Sequence, residues 1–301
     1  MSKKVSYESV RAEEMKLSFD SAIEEFAKHK VQFGVFQMAT LKLIDADKMY
    51  TNLAILLSDQ CAYTIKVAMF RDNTSLEIQD RQEFGGSLFK QYYDVHYLLE
   101  SIASVSTAPA TDEAECLPGN KRDFPEIAIK EALINAIMHR DYAISESILI
   151  KIFTDRIEFI SPGGLSEGLK AEDIMSGFSS FRNPRLTDVL QRLHYAEAHG
   201  TGLTKILEAY SNCAAKPKVE VTENVFKLIL PNLSSTQTFS ADQTPEDKLL
   251  KFALEHGSIS RKQAEGVLGV SQTAAGVVLR RLAERGDLKR HGHSRNIKYF
   301  P

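Results

Sequence analysis

From residue 125 to 140 the chain carries Ile127, Ala128, Ile129, Ala132, Leu133, Ile134, Ala136, Ile137 and Met138, apolar at nearly every angle around a helix. Such a helix has no side to show to water and must be buried in the middle of a fold. Yet Glu131, Asn135 and His139 recur at i, i+4 and i+8, which stacks them on one face. A buried carboxylate and carboxamide are costly unless something polar meets them. Two explanations are open: an internal network with Arg140 or backbone groups, or a pocket that holds a metal and phosphates.

The remainder of the chain is organised by two breaks. Residues 104 to 124 gather Ser, Thr, Ala, Pro, Gly and Asn, and residues 233 to 244 are small and polar before Pro245. They delimit an N-terminal α/β region over 1–104, a middle unit over 120–232, a linker over 233–244 and a C-terminal unit over 245–301. In the first region the periodicity predicts helices at Phe19 to Lys28 and around Tyr50 to Leu57, a strand at Tyr63 to Phe70, and a long helix from about Gly86 to Ala103. After its opening helix, the middle unit has a hairpin of Ile148 to Phe153 with Ile157 to Ile160, helices from Pro184 and Leu203, and a last hairpin of Val219 to Val221 with Val225 to Leu230. This is the pattern of an α/β sandwich.

Two glycine loops, Ser161-Pro162-Gly163-Gly164 and His199-Gly200-Thr201-Gly202, adjoin these elements. The second runs into a helix, where glycines let backbone N–H groups and the positive helix end approach an anion. A turn that must take positive φ explains the first equally well. Gly164-Leu165-Ser166-Glu167-Gly168 matches GxSxG, but no helix starts at the serine, which argues against a hydrolase. No GxxxxGK[ST] loop exists, so a helicase motor has nowhere to hold its nucleotide.

The run Lys130 to Tyr142, with Asp155 to Glu158, Pro162-Gly163-Gly164-Leu165, Arg182-Asn183-Pro184 and Gly200-Thr201-Gly202, resembles a known family. It is the divergent ATPase domain of the gyrase and histidine-kinase (GHKL) type in bacterial and archaeal transcriptional regulators, often labelled after the C-terminus of the helicase RecG. Thr51 to Gln60, Ile65 to Ala68 and Arg81 to Ser87 look like the region that precedes it there. Such regulators usually begin with an AlbA-like, Schlafen-type domain; its typical opening is missing, so a shortened member is expected.

The resemblance implies ATP or ADP with magnesium as ligand. Glu131 matches the general-base carboxylate that polarises the attacking water, and Asn135 the magnesium-binding amide, with His139 beside them. Gly200, Thr201 and Gly202 match the phosphate loop, and Arg182 and Asn183 the lid. Ser161, Gly163 and Gly164 fall on the turn where active members carry DxGxG, whose Asp reads the adenine amino group. A hydroxyl is a weaker acceptor, and losing one charged hydrogen bond costs about 1.5 to 3 kcal/mol. Weak adenine nucleotide binding and weaker turnover are therefore expected.

The net charge of −3 conceals a split, because residues 245–301 carry 11 Lys+Arg against 6 Asp+Glu and the rest 26 against 34. Within that basic tail the pattern is helix, short helix, helix, hairpin. Ser260-Arg261-Lys262-Gln263 forms a capping box, Gly257 and Gly286 end helices, and Ala274, Val277, Val278, Leu279 and Leu282 face inward. This order predicts a winged helix-turn-helix whose third helix enters the major groove of double-stranded DNA. Ser271, Gln272 and Thr273 would lie near base edges, and Arg280, Arg281, Lys289, Arg290, Arg295 and Lys298 near phosphates. A winged helix used only for protein contacts is the other reading; the charge bias favours DNA.

No apolar run approaches the length of a membrane span, and no apolar stretch follows the N-terminal lysines, so a cytoplasmic protein with no membrane partner is expected. Cys61, Cys116 and Cys213 are scattered and odd in number, which argues against a disulfide framework and a zinc site. Three function classes remain: a DNA-binding transcriptional regulator with a degenerate, ATP-sensing domain, an ATP-hydrolysing enzyme, and a protein-interaction adaptor. Palindromic operators would suit a homodimer.

Overall fold

The computed structural model describes residues 6–13, 16–73, 77–103, 122–165, 169, 173–174, 180–197, 201–233, 245–268, 272–284, 287–291 and 297–300. The chain forms two compact units, Met1–Thr236 and Gln237–Pro301. In the first, a 3-10 turn at Tyr7–Ser9 precedes helices α1 (Asp20–Lys28), α2 (Val35–Thr40) and α3 (Asn52–Leu57). Strands β1 (Ile65–Phe70) and β2 (Ile78–Phe84) lead to α4 (Leu88–Ala103) and α5 (Glu126–His139). Then follow β3 (Ile148–Ile152), β4 (Arg156–Pro162), α6 (Pro184–Arg192), α7 (Gly202–Ala209), β5 (Lys218–Val221) and β6 (Val225–Pro231).

The six strands form one sheet in the order β2-β1-β3-β4-β6-β5, with β1 and β3 parallel and every other pair antiparallel. Its register follows from the period of two. Ile150 pairs with Phe159 and Ile152 with Ile157, and these pair onward with Leu228 and Leu230, so one face is continuously apolar and buried. α5 packs against β4, α4 and α7, which accounts for apolar residues nearly all round it. The sheet and helices make the expected mixed α/β architecture.

The region to residue 104, expected as a unit of its own, shares this sheet and core. β1 runs beside β3 with Ile65 opposite Ile148 and Val67 opposite Ile150, and one hydrophobic cluster extends from Phe19 to Leu233. α4 packs on β1 and also on α5, so the segments on either side of residue 104 bury their apolar faces together. β2 was not anticipated because its sequence, IQDRQEF, is polar and largely exposed; pairing with β1 at the sheet edge sets it. Arg140, a candidate partner for the α5 stripe, turns elsewhere. Its guanidinium lies 4.5 Å from the Tyr63 ring centroid and donates to the Ile144 and Glu146 carbonyls.

Cys61 is a buried free thiol that burial pushes up to about 11, and Cys116 lies outside the described residues. No helix among the described residues is long and apolar enough to cross a membrane.

The second unit contains α8 (Pro245–His256), β7 (Ile259–Ser260), α9 (Arg261–Leu268), α10 (Gln272–Glu284), β8 (Lys289–His291) and β9 (Lys298–Phe300). Its three strands pair in the order β7-β9-β8. The expected capping box is present: the Ser260 N–H donates to Gln263 Oε1 at 2.9 Å, and the Gln263 N–H to Ser260 Oγ at 3.3 Å. Gly257 ends α8 with φ 73°, while Gly286 lies outside the described residues. Leu249, Ala253, Ile259, Ala275, Leu279, Leu282, Leu288 and Tyr299 form a separate core. Val277, expected inside, is 43% exposed, because it points away from the seam of Ala275, Leu279 and Leu282. The side chain of Ala274 lies outside the described residues.

Candidate functional site

The stripe on α5 faces a cavity. Glu131, Asn135 and His139 line it together with Gly164, Arg182, Thr201, Gly202 and an apolar wall that includes Ile134, Met138, Phe181, Leu203, Phe226 and Leu228. Eight residues of helix separate Glu131 from His139, or roughly 12 Å along the axis. The cavity opens to solvent, and its enclosed part leaves about 100 Å³ for the centres of water-sized groups. Among the described residues, neither the Asn135 nor the His139 side chain has a hydrogen-bond partner. His139 stacks on Phe181, ring centroids 6.1 Å apart. Burial, helped by the Arg182 charge, lowers its pKa to about 4 and leaves it a neutral imidazole.

At the near end, the start of α7 rests on the stripe. A Cβ on Gly202 would stand 2.8 Å from Asn135 Nδ2 and 2.9 Å from Glu131 Oε2, so any side chain there would push the ends of the stripe aside. Thr201, the N-cap, spends its hydroxyl on Glu197 at 2.9 Å and makes no side-chain cap. One turn into α7, Lys205 Nζ lies 3.0 Å from Glu131 Oε1 and 2.8 Å from Glu197 Oε1. Burial disfavours its charge, but bonds to Glu197 and Glu131 outweigh that and raise its pKa above the ordinary lysine value. Glu131 is thus held by a cation. Gly200 lies outside the described residues.

At the far end, several residues expected to touch ligand have structural duties. Ser161 is buried, and its hydroxyl donates to the Ala136 carbonyl at 3.0 Å, which ties β4 to α5. Gly163 takes φ 100° and leaves no room for a Cβ against Asp141. Gly164 is pressed against the Thr222 and Glu223 carbonyls. The N–H groups of both glycines donate to Asn224 and Glu223, across the β5–β6 turn. Asn183 is buried and donates to the Met138 and Arg140 carbonyls at 2.9 and 2.8 Å, closing the end of α5. Arg182 alone of this group keeps donors for the cavity. It holds Asp141 Oδ2 and the Gly164 carbonyl, each at 2.7 Å, with a quarter of its side chain exposed.

The donor set fits magnesium only as a shared ligand. Asn135 offers one carboxamide oxygen, Glu131 is paired with Lys205, and no cluster of three His, Cys, Asp or Glu suits a metal among the described residues. A magnesium here would draw its other ligands from phosphates and water, as this ion commonly does. Sequence reasoning missed Lys205 and Glu197. Lys205 follows Gly202 by three residues, one helical turn, which is the signal that could have placed it beside the stripe.

In the second unit, Arg280, Arg281, Lys289, Arg290 and Lys298 are exposed. Lys289 pairs with Phe300 and His291 with Lys298, so both lysines share one face of the β8–β9 pair. Gln272 and Thr273 open α10; their side chains, together with Ser271 and Arg295, lie outside the described residues.

No curated protein matches the chain. Among solved structures, the crystal structure of the DIP2311 protein from Corynebacterium diphtheriae is similar, with a TM-score of 0.61 at 18% identity. The likeness covers 99% of this chain and 64% of that one, so this chain spans less than two thirds of its length. At that identity it speaks to the fold alone. Residues 145–230 match the family described as "Putative ATP-dependent DNA helicase recG C-terminal". An ATPase-like domain of that description is therefore present in this chain, and it contributes β3, β4, α6, α7, β5 and most of β6 around the cavity.

Proposed function

We propose that this chain is a cytoplasmic DNA-binding transcriptional regulator whose first unit senses a nucleotide and whose second unit, a winged helix-turn-helix, grips double-stranded DNA. The observation that carries this reading is the order helix, strand, helix, helix, hairpin in the second unit, with exposed Arg280, Lys289, Arg290 and Lys298 on its third helix and hairpin. α10 is then the recognition helix, with Ser271, Gln272 and Thr273 at its leading end. Arg280, Arg281 and the basic hairpin, Arg295 included, meet phosphates.

In the first unit the cavity takes the nucleotide. Asn135 would hold its magnesium, which when bound neutralises phosphate charge. α7 directs its first N–H groups toward the same end, and the apolar wall excludes water. Lys205 occupies the carboxylate that would polarise water, which favours sensing over turnover. An ATP-hydrolysing enzyme remains the second reading, favoured by Glu131 lining the cavity; magnesium-dependent turnover abolished by Glu131→Gln would establish it.

The test is salt-dependent binding of the full chain to DNA selected from random sequence, with and without ATP or ADP. Replacing Arg280 and Arg281 by Ala should weaken binding to every sequence and reduce the logarithmic salt slope by about 2. Gln272→Ala should change which sequence is preferred. Affinity independent of salt would leave the second unit as a protein-interaction module. Selection of palindromic sites would accompany a homodimer.

A further inference from the structure

The far end of the cavity has donors where adenine recognition needs an acceptor. The Ser161 hydroxyl is buried and bonded to Ala136, so it cannot meet a base. Asp141 stands beside this end, but its oxygens accept from Arg182 at 2.7 Å and the Ala143 N–H at 3.0 Å. Arg182 has five N–H donors in a planar fork, of which one is fixed on Asp141 and one on the Gly164 carbonyl. The others remain for the cavity that its side chain lines. Phe181 and His139, stacked on each other at an interplanar angle of 19°, line the same cavity.

We propose that this end of the cavity selects a nucleotide with a 6-oxopurine base, such as guanine or hypoxanthine, over one with adenine, through the guanidinium of Arg182. The proposal rests on the nucleotide reading of the cavity. A guanidinium fork matches the O6 and N7 acceptors of a 6-oxopurine, whereas adenine keeps N7 but turns an amino group toward the donor that O6 would take, leaving that donor unpaired. One good pairing of this kind discriminates roughly tenfold to hundredfold. Asp141 and the Gly164 carbonyl hold the fork in place before any ligand arrives, which lowers the ordering cost of binding.

Calorimetric titration of the full chain with GDP, IDP and ADP, each with magnesium, tests this without turnover. GDP and IDP should bind at least tenfold more tightly than ADP, and Arg182→Gln should bring the three within about threefold. Arg182→Lys keeps the cation beside Asp141 without the fork and should lose most of the preference while remaining folded by melting. If both variants unfold, the ranking on the parent chain decides. ADP binding as tightly as GDP overturns the proposal and leaves the nucleotide reading standing. So does GDP binding without IDP, since the 2-amino group would then carry the preference. Binding of none of the three overturns both.

Discussion

Buried and half-buried polar side chains in the first unit differ in what they touch. Glu8 is fully buried, and its carboxylate accepts the N–H groups of Arg185 and Leu186 at 2.8 Å each, capping α6 from the far end of the sequence. Ser161 and Asn183 likewise spend their groups on backbone carbonyls of α5 and its end. Each of these closes a backbone account that water cannot reach. Asn135 and His139 sit on the same helix and have no such partners among the described residues; a cavity stands in front of them. The difference separates polar groups that complete the backbone's hydrogen bonds from polar groups that face open space, and it cannot be read from residue type.

The comparison breaks first at Ser161. Ser161→Asp would restore the carboxylate that the family resemblance leads one to expect, yet here it would bury a charge against the Ala136 carbonyl. A loss of about 3 to 5 kcal/mol is expected, a fall in melting temperature of roughly 10 °C. A variant as stable as the parent that binds adenine nucleotides tightly would return Ser161 to the ligand side. Glu8→Ala should cost less, about 1 to 3 kcal/mol, by stranding the buried Leu186 N–H and the partly buried Arg185 N–H. Denaturant titration measures it, and a change under 1 kcal/mol, on the order of one ordinary hydrogen bond, would show that water replaces the cap.

Lys205→Met sharpens the other side. The pair with Glu131 is partly open, with 28% and 11% of the side chains exposed, so about 1 kcal/mol is expected. Freed of its cation, Glu131 should support more ATP turnover than the parent at saturating magnesium. Turnover that stays flat would exclude Lys205 as the brake.

The sequence patterns made most of this fold legible. α5, the β3–β4 hairpin and the β5–β6 hairpin follow directly from periodicity, and the stripe at Glu131, Asn135 and His139 does line a cavity. Pairing that joins distant segments was not legible. Nothing local in Tyr7-Glu8-Ser9 announces a cap for a helix that begins at Pro184, and polar β2 owes its strand to β1. At Gly163, Gly164 and Asn183, expected at the ligand, the structure shows backbone-holding contacts that the motif did not announce. Glycine and asparagine satisfy tight backbone packing as readily as a phosphate, and packing partners far along the chain decide which.

His139 gives the smallest effect and the cleanest sign. Its folded pKa of about 4, set by burial first and the Arg182 charge second, lies below the ordinary 6.5. Between those values the unfolded chain binds a proton that the folded chain refuses, so stability falls as pH drops through that window. His96, also lowered by burial, contributes in the same direction, so the parent alone cannot isolate the effect. His139→Phe keeps a ring against Phe181 and removes one of the two contributions. Its melting temperature should therefore fall by less than the parent's between about pH 7 and about pH 5. Equal falls in both proteins would mean that His139 takes up its proton in the folded state, which would make the ring a cation in the cavity and reverse its role toward any ligand that comes there.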